Sequence, residues 1–224
     1  MQPLVSIIIP VYNGEKYIAQ AIESVFRQNH PHVEVIVVND GSTDGTLATL
    51  ERFGEKVRII SQENKGQAVA RNVGIKLAHG SIIGLLDADD MWPDNHLGLM
   101  LPHLLEGDYD FARGYTRYVK NSGTEVEEMT QNLFMEALVG ACLYKASVFT
   151  TVGLFDETMR QGEDFDWNIR LIESACKEKR INETTLLYRR HESNLTNSKE
   201  CIEKGQIHAF RNKVMRARNR KNNE

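Results

Sequence analysis

The first half of the chain alternates between two hydrophobic periods. Short runs of apolar, mostly β-branched residues predict buried strands, whereas apolar residues spaced three or four positions apart predict amphipathic helices. Because the strands are apolar throughout and alternate with helices, we expect a parallel sheet that is covered by helices on both faces. The predicted strands are Val5–Ile9, Val33–Val38, Val57–Ser61 and Ser81–Leu86, and the predicted helices are Glu15–Gln28, a segment after the N-cap residues Ser42–Asp44, and Gln67–Ala78.

The pattern becomes less regular after Pro93. A helix is predicted at Asp164–Ala175, with Trp167, Leu171 and Ile172 facing the core. Neither an internal repeat nor a linker divides the chain, so we predict a single α/β domain over residues 1–210, with a regular half at about 1–93 and a mixed half at about 94–199. The other elements predicted for the second half are a helix at Asn95–Leu105, strands at Tyr109–Val119 and Leu138–Tyr144, and a polar loop at 120–131.

Composition disfavours several classes of protein. The 224 residues include 27 Lys and Arg against 31 Asp and Glu, a net charge of −4, which disfavours a nucleic-acid-binding protein. The three cysteines lack the spacing of a disulfide scaffold or a zinc finger, which favours a reducing compartment. The longest apolar runs fall short of the roughly 20 residues that span a bilayer, and no signal peptide is visible. We therefore expect a cytoplasmic protein.

Polar clusters follow three of the predicted strands, at the sheet edge where open α/β folds bind ligands. They are residues 10–13, 39–42 and 87–90. In the third cluster Asp87, Asp89 and Asp90 would repel one another unless positive charge lay between them. A hard divalent cation such as Mg²⁺ or Mn²⁺, with substrate phosphates completing its shell, meets this need. The alternative is an acidic turn in which an aspartate caps the next helix.

Further polar residues suit a phosphorylated ligand. Asp40 can accept a hydrogen bond from a base or a sugar, and Tyr12 can stack on a flat base. Lys65 and Arg71 lie near the start of a predicted helix, where the helix dipole also favours an anion. The alternatives are that Asp40 is a turn residue, that Tyr12 packs within the fold, and that Lys65 and Arg71 are ordinary surface charges.

A second acidic cluster lies about 75 residues further along the chain. Glu163 and Asp164 precede a predicted helix, so capping alone would explain them. The functional alternative is a general base that takes the proton from an attacking hydroxyl group. His191 is a candidate metal ligand or phosphate contact, although most isolated histidines are neither.

Taken in order, these segments resemble the family 2 inverting glycosyltransferases of the GT-A fold. The resemblance extends from about residue 4 to residue 196, and it implies a nucleotide-binding half at about 1–93 and an acceptor half at about 94–199. The matching segments are Val5–Asn13 (ending in PVYN), Val35–Gly45 (VIVVNDGSTDG), Asn64–Gly74 (NKGQAVARNVG), Ile83–Asp90 (IGLLDADD), Gly153–Asp166 (GLFDETMRQGEDFD) with Arg170, and Tyr188–Thr196 (YRRHESNLT).

The resemblance implies a role for each matching residue. Asp164 would be the catalytic base, with Glu163 as its neighbour on the acceptor side. Asp89 would bind Mn²⁺ or Mg²⁺ on the diphosphate, and His191 lies where the family often has a histidine near that group. The nucleotide-sugar would contact Pro10, Val11, Tyr12, Asn13, Asp40 and Arg71 (both at the base), Lys65, Gly66, Asp87 (at the ribose) and Ala88.

The function implied is transfer of one sugar from a UDP- or dTDP-sugar to a hydroxyl group, with inversion and with a divalent metal. The acceptor would be a saccharide, a lipid-linked or a protein-linked group in cell-surface polysaccharide or glycoconjugate assembly. The Gln-x-x-Arg-Trp motif of processive members is absent, so we expect one sugar per event. The alternatives are a nucleotide-sugar-binding regulatory module without catalysis, or a sugar nucleotidyltransferase, although the latter would need a glycine-rich loop after the first strand.

The C-terminal segment 211–224 is strongly basic in an otherwise acidic chain. A solvated tail is the simpler interpretation. The alternative is peripheral contact with the anionic inner face of a membrane, where a lipid-linked acceptor would lie.

Overall fold

Four parallel strands form the first half of the sheet in the computed structural model, which describes residues 2–122, 125–128, 138–192, 194 and 197–221. Their order across the sheet is β3-β2-β1-β4, so each crossover contains a helix, as predicted. The strands are β1 (Val5–Val11), β2 (Val33–Asp40), β3 (Val57–Gln62) and β4 (Ile82–Leu85), and the helices between them are α1 (Ile18–Phe26), α2 (Thr46–Glu51) and α3 (Gln67–Leu77).

Both faces of this half are buried, as the apolar strands predicted. In β1, Ile7 and Ile9 pack in a core that includes residues of α1. The intervening residue, Ile8, points to the opposite face and packs with apolar residues of α3. The sheet is therefore the middle layer of this half.

The second half adds mostly antiparallel strands to the same sheet. Beyond β4 the order is β7-β5-β6, and β8 pairs in parallel with β5, which gives eight strands within the described residues. The elements are α4 (His96–Leu105), β5 (Phe111–Ser122), β6 (Glu125–Glu128), β7 (Cys142–Lys145), α5 (Ser147–Thr151), α6 (Glu163–Glu173) and β8 (Glu178–Arg189). The prediction of one α/β domain with a mixed second half is confirmed.

Several predictions for the second half are wrong in detail. The loop predicted at 120–131 instead contains the end of β5 and, at residues 125–128, β6, while residues 123–124 and 129–131 lie outside the described residues. Residues 139–141 form a short 3₁₀ turn, and strand β7 begins only at Cys142. Trp167 and Leu171 are buried as predicted, but Ile172 is 71% exposed because it lies about 100° further round the helix than Leu171.

The basic C-terminal segment is helical over residues 211–221, and most of the side chains described at 211–218 are exposed. Helix α7 (Lys199–Lys221) begins well before this segment and packs on α6. Arg216 Nη1 lies 2.9 Å from Asp166 Oδ1, and Lys213 Nζ lies 3.3 Å from Glu173 Oε1. None of the helices in the described ranges is both long and apolar enough to cross a membrane.

Candidate active site

The carboxyl ends of β1, β2 and β4 lie side by side, because β1 pairs in parallel with both other strands. The loops after β1 and β2 are bonded to each other, since Asn13 N donates to Ser42 Oγ at 3.0 Å. Pro10 and Val11 are buried within β1, whereas Tyr12 is 54% exposed. The segment predicted to bind the nucleotide therefore passes from two buried residues to two exposed ones, Tyr12 and Asn13, as it leaves the sheet.

Asp40, at the end of β2, fixes the start of α3. Its carboxylate is buried, and Oδ1 accepts hydrogen bonds from Gln62 Nε2 at 2.7 Å and Lys65 N at 2.8 Å, while Oδ2 accepts one from Gly66 N at 2.8 Å. Gly66 has a φ of 97°, a conformation that favours glycine, and directly precedes α3. The Lys65 side chain is exposed. Hydrogen bonds thus join Asp40, Lys65 and Gly66, all predicted to contact the nucleotide-sugar, into one cluster, the Asp40 unit.

Arg71 joins the two halves of the domain. Its guanidinium is 2% exposed; Nη2 donates to Asp87 Oδ1 at 2.6 Å, and Nη1 donates to Glu163 Oε1 at 2.7 Å. Gln67, one turn earlier on α3, donates to the same Asp87 oxygen at 2.9 Å. Within the part of the chain that the structure describes, no donor bonds Asp87 Oδ2. One carboxylate oxygen at the end of β4 is therefore available to a ligand.

The second acidic cluster lies in the first turn of α6. Gly162, with a φ of 73°, allows the sharp turn into the helix, and Glu163 and Asp164 follow. Asp164 is partly exposed, and its Oδ1 accepts a hydrogen bond from Phe165 N at 2.7 Å. Burial raises the pKa of both Glu163 and Asp164, and the charge of Arg71 opposes this effect. A carboxyl group with a raised pKa suits a general base.

Asp89 and His191, the two residues predicted to bind metal, lie together. His191 Nε2 is 2.9 Å from Asp89 Oδ2, and Asn194 Nδ2 is 3.4 Å from the same oxygen. The His191 ring stacks on Tyr17 with a centroid distance of 4.7 Å. Burial raises the pKa of Asp89, and the neighbouring Asp87 carboxylate adds to this rise.

The side chains at this position fit an open cation site. Among the described residues, no group of three or more His, Cys, Asp or Glu side chains is placed to bind a metal ion. Asp89 and His191 offer one carboxylate and one imidazole. Cations such as Mg²⁺ typically take one or two protein carboxylates and fill the remaining positions with water and substrate phosphates. The pair therefore suits a cation shared with a diphosphate, and not a closed structural metal site.

Strand β8, which was not predicted from the sequence, holds the acidic residues 87–90 in position by hydrogen bonds. Met91 pairs with Leu187 in an isolated antiparallel bridge. Two residues further on, Arg189 N donates to Asp90 Oδ1 at 2.9 Å, and Arg189 Nε donates to Asp89 O at 2.8 Å. Asp90 is buried, and burial raises its pKa well above the usual value. This carboxyl group therefore has a structural role.

Several residues that hold the site in place were not predicted from the sequence. Gln67 and Asn194 lie inside motifs that were recognised, but their own roles depend on partners far away in sequence. Arg189 is likewise part of a recognised motif, and its burial could not be foreseen without β8. Ala88 is half-buried close to Gly14, so it links the loops after β1 and β4.

Comparisons with known proteins agree with this fold. Residues 6–218 match the family model described as Glycosyl transferase family 2. The chain is 32% identical over 219 residues to an uncharacterized glycosyltransferase of Bacillus subtilis, EpsJ, covering 88% of this chain and 64% of EpsJ. It is 35% identical over 191 residues to an uncharacterized glycosyltransferase of Rickettsia bellii, covering 82% of this chain and 27% of that protein.

A solved structure shares the fold. S. aureus TarS 1-349 in complex with UDP superposes with a TM-score of 0.71 at 22% identity, covering 84% of this chain and 60% of that chain. The chain thus spans only part of the length of these relatives, from about a quarter to under two thirds. Since the family model covers nearly all of it, the chain belongs to glycosyl transferase family 2.

Proposed function

We propose that the chain transfers one sugar from a UDP- or dTDP-sugar to a hydroxyl acceptor, with inversion and with a divalent cation. The observation that supports this best is that Arg71 bonds both Asp87, predicted on the donor side, and Glu163, the chain neighbour of the predicted base Asp164. The family assignment supports sugar transfer, and the TarS structures solved with UDP and with UDP-GlcNAc support this class of donor.

On the donor side, the nucleotide lies across the carboxyl edge of the sheet. The exposed ring of Tyr12 stacks on the base, and the available Oδ2 of Asp87 accepts from a ribose hydroxyl group. The Asp40 unit supplies the floor of the base site. The nucleotide-sugar contacts that complete this assignment are Pro10, Val11, Asn13, Lys65, Gly66 and Ala88.

The metal would be bound by Asp89, with His191 as the second candidate ligand, because these two side chains converge at 2.9 Å. Mn²⁺ or Mg²⁺ bound there would neutralise the charge that develops on the diphosphate as it leaves. Tyr17 stacks on the imidazole, and Asn194 Oδ1 accepts a hydrogen bond from the backbone N–H of His191. Both contacts support the position in which His191 Nε2 lies next to Asp89.

On the acceptor side, Asp164 takes the proton. The acceptor oxygen attacks the anomeric carbon while the bond from that carbon to the diphosphate oxygen breaks, and the hydroxyl proton passes to the Asp164 carboxylate. One displacement inverts the anomeric centre, so no second nucleophile is needed. Because the pKa of Asp164 is raised and the carboxylate is the active form, the rate is expected to fall as pH drops, from a pH above the usual aspartate range near 4.

The first test is a thermal-shift screen of nucleoside diphosphates with and without Mn²⁺ or Mg²⁺, followed by an assay of diphosphate release from the matching sugar donor. Asp164→Asn should reduce release by about 10²–10⁴-fold and leave the nucleotide-induced thermal shift intact. Glu173→Gln, at the other end of the same helix, is the matched control and should retain release. An Asp164→Asn variant that keeps its activity would exclude Asp164 as the base.

The same assays separate the alternatives. Nucleotide-dependent thermal stabilisation without release at any pH or with any acceptor would favour a regulatory module that binds nucleotide-sugars. Formation of pyrophosphate from a nucleoside triphosphate and a sugar phosphate would instead identify a nucleotidyltransferase. A place in polysaccharide assembly is supported by a Bacillus subtilis relative whose name refers to teichuronic acid biosynthesis, 39% identical over 132 residues.

We also propose a cytoplasmic location with peripheral membrane contact through α7. Ile207, Phe210 and Val214 are each about half exposed on one stripe of this helix, and Arg211 and Arg218 lie exposed beside them. Co-sedimentation should show binding to anionic vesicles, lost when Ile207 and Val214 are both changed to serine. The control is Ile172→Ser, which removes an exposed isoleucine from α6 instead. Equal binding by all variants would exclude the stripe as the contact.

A further inference from the structure

The position of Arg71 argues against a direct contact with the nucleotide base. Its side chain is 2% exposed, and both terminal nitrogens already donate to carboxylates, at 2.6 Å to Asp87 and 2.7 Å to Glu163. The guanidinium carbon also lies 5.4 Å from the centroid of the Phe155 ring. At 2% exposure, a base could reach this group only if the surrounding side chains moved apart.

The geometry is one that only arginine provides. A guanidinium presents two terminal nitrogens in a rigid, planar fork, so one side chain can bond two carboxylates at a fixed separation, whereas a lysine ammonium is a single point on a flexible stem. Arg71 uses one nitrogen for each half of the domain: Asp87 follows β4, and Glu163 begins α6. The distance between the two acidic clusters is therefore set by one planar group.

The neighbouring contacts strengthen this connection. Asn72, the next residue on α3, donates to Phe155 O at 2.9 Å and accepts from Phe155 N at 2.9 Å. Gln67 adds the second hydrogen bond to Asp87. Contacts from two consecutive turns of α3 thus hold the segment that leads to Glu163 against the donor half.

The electrostatics favour the same role. Glu163 is buried, and Asp164 beside it is partly buried, so both need a compensating charge to stay ionised. The charged groups that act on Asp164 are the Arg71 cation and the Asp87 carboxylate, together with its neighbour Glu163. Arg71 is the positive member of this set, and its own pKa is raised by Asp87 and Glu163, so it stays charged.

We propose that Arg71 is a positioning residue: by bonding Asp87 and Glu163 with one guanidinium, it fixes the predicted base Asp164 relative to the donor site and keeps it ionised. This inference rests on the proposed function of Asp164. It differs from a role in nucleotide binding, since Arg71 acts only through other protein side chains.

The connection is tested first without any substrate. In urea unfolding, adding Glu163→Gln to the wild-type protein should lower the urea midpoint, because the change breaks the ion pair with Arg71. Adding Glu163→Gln to Arg71→Met should raise the midpoint, because in Arg71→Met the buried Glu163 carboxylate has lost its partner. In Arg113→Met, which removes another buried arginine, Glu163→Gln should lower the midpoint as in wild type. If Glu163→Gln shifts the midpoint in the same direction in all three backgrounds, Arg71 does not join the two clusters and the proposal is wrong.

The functional part is tested by the pH dependence of diphosphate release. Loss of the Arg71 charge should move the acid limb of the profile to higher pH and lower kcat at least tenfold. Arg71→Lys keeps the charge, so its acid limb should stay near that of wild type while kcat falls. Arg113→Met should leave the acid limb unmoved.

Three outcomes are distinguishable. An unshifted acid limb in Arg71→Met, with wild-type activity present, would reduce Arg71 to a structural residue and overturn the proposal. If Arg71→Met weakens nucleotide binding to a degree that depends on whether the base is uracil or thymine, while kcat at saturation stays normal, Arg71 contacts the base instead. Absence of release by the wild-type protein would remove the proposed function and the positioning role with it, while the urea series would still report the ion-pair connection.

Discussion

His96 makes the stability of this protein depend on pH in a way that can be calculated. The imidazole is fully buried at the start of α4 and stacks on Trp92 with a centroid distance of 3.8 Å. Its Nδ1 lies 2.6 Å from Thr185 O. A carbonyl oxygen can only accept, so Nδ1 carries the proton and Nε2 is the unprotonated nitrogen. Nε2 is buried and has no hydrogen-bond partner among the described residues.

Protonation of Nε2 would therefore create an uncompensated charge in the core, and burial lowers the pKa of His96 to about 3. In the unfolded chain the pKa of histidine is about 6.5. Below that pH the unfolded chain binds a proton that the folded chain does not, so stability is complete above pH 6.5 and is lost as the pH falls towards 3. At about 1.4 kcal/mol per pH unit, a change from pH 7.5 to pH 5.0 costs about 2 kcal/mol.

The test is urea unfolding of the wild-type protein and of His96→Gln at both pH values. Glutamine can donate to the same carbonyl group but binds no proton in this range. Carboxyl groups with raised pKa are present in both proteins, so their contributions cancel in the difference. We expect the free-energy advantage of wild type over His96→Gln to shrink by about 2 kcal/mol between pH 7.5 and pH 5.0. A difference that stays constant within about 0.5 kcal/mol would refute this reasoning.

Two further predictions concern the residues that frame the site. Asn72→Ala should lower the free energy of unfolding by about 2–4 kcal/mol, because it leaves the buried N–H and C=O of Phe155 without partners; a loss below about 1 kcal/mol in urea unfolding would contradict this. Gly66→Ala should cost about 1–3 kcal/mol and weaken nucleotide-dependent thermal shifts, since its φ of 97° and ψ of 162° belong to a region reserved for glycine. Gly54→Ala is the comparison variant: its φ of 55° also strains alanine, but no described atom lies within 4 Å of the added Cβ, so it should cost less than Gly66→Ala, and an equal cost would contradict the argument.

The parts of the fold that were predictable are those whose pattern is complete within a short window. The β-branched run of β1 requires no partner to be recognised as a buried strand, and the same holds for β2. Strand β8 was missed because Glu178–Arg189 has buried and exposed residues in no simple alternation. Its pairing with β5 also shifts register near Tyr115, so neither a period of two nor a continuous apolar run is visible.

The C-terminal helix was missed for a related reason. Few of its residues are apolar, and its contact with α6 combines the Phe210 ring, 5.7 Å from that of Phe165, with an ion pair between Arg216 and the buried Asp166. The basic composition of 211–221 thus describes partly a packing interface and only partly a solvated surface. A charge that is paired within the fold cannot be distinguished from a free one by sequence alone.

The aspartates that follow β4 likewise depend on partners that the sequence alone does not identify. From sequence, the repulsion among Asp87, Asp89 and Asp90 seemed to require a cation. In the structure each has its own partner: Arg71 for the first, His191 for the second and the backbone N–H of Arg189 for the third.

These partners lie between 16 and 102 residues away in sequence, so they could not be paired with the aspartates in advance. Under the proposed function, the cation then serves the diphosphate and not the fold. Removal of divalent cations with EDTA should therefore leave the melting temperature of the ligand-free protein within about 1 °C, well below the 2–4 °C expected for each kcal/mol lost in a domain of this size. The same treatment should remove most of the thermal stabilisation by a nucleoside diphosphate. A large fall in the melting temperature of the ligand-free protein would mean that the three aspartates are not balanced by these partners and that the cation is structural.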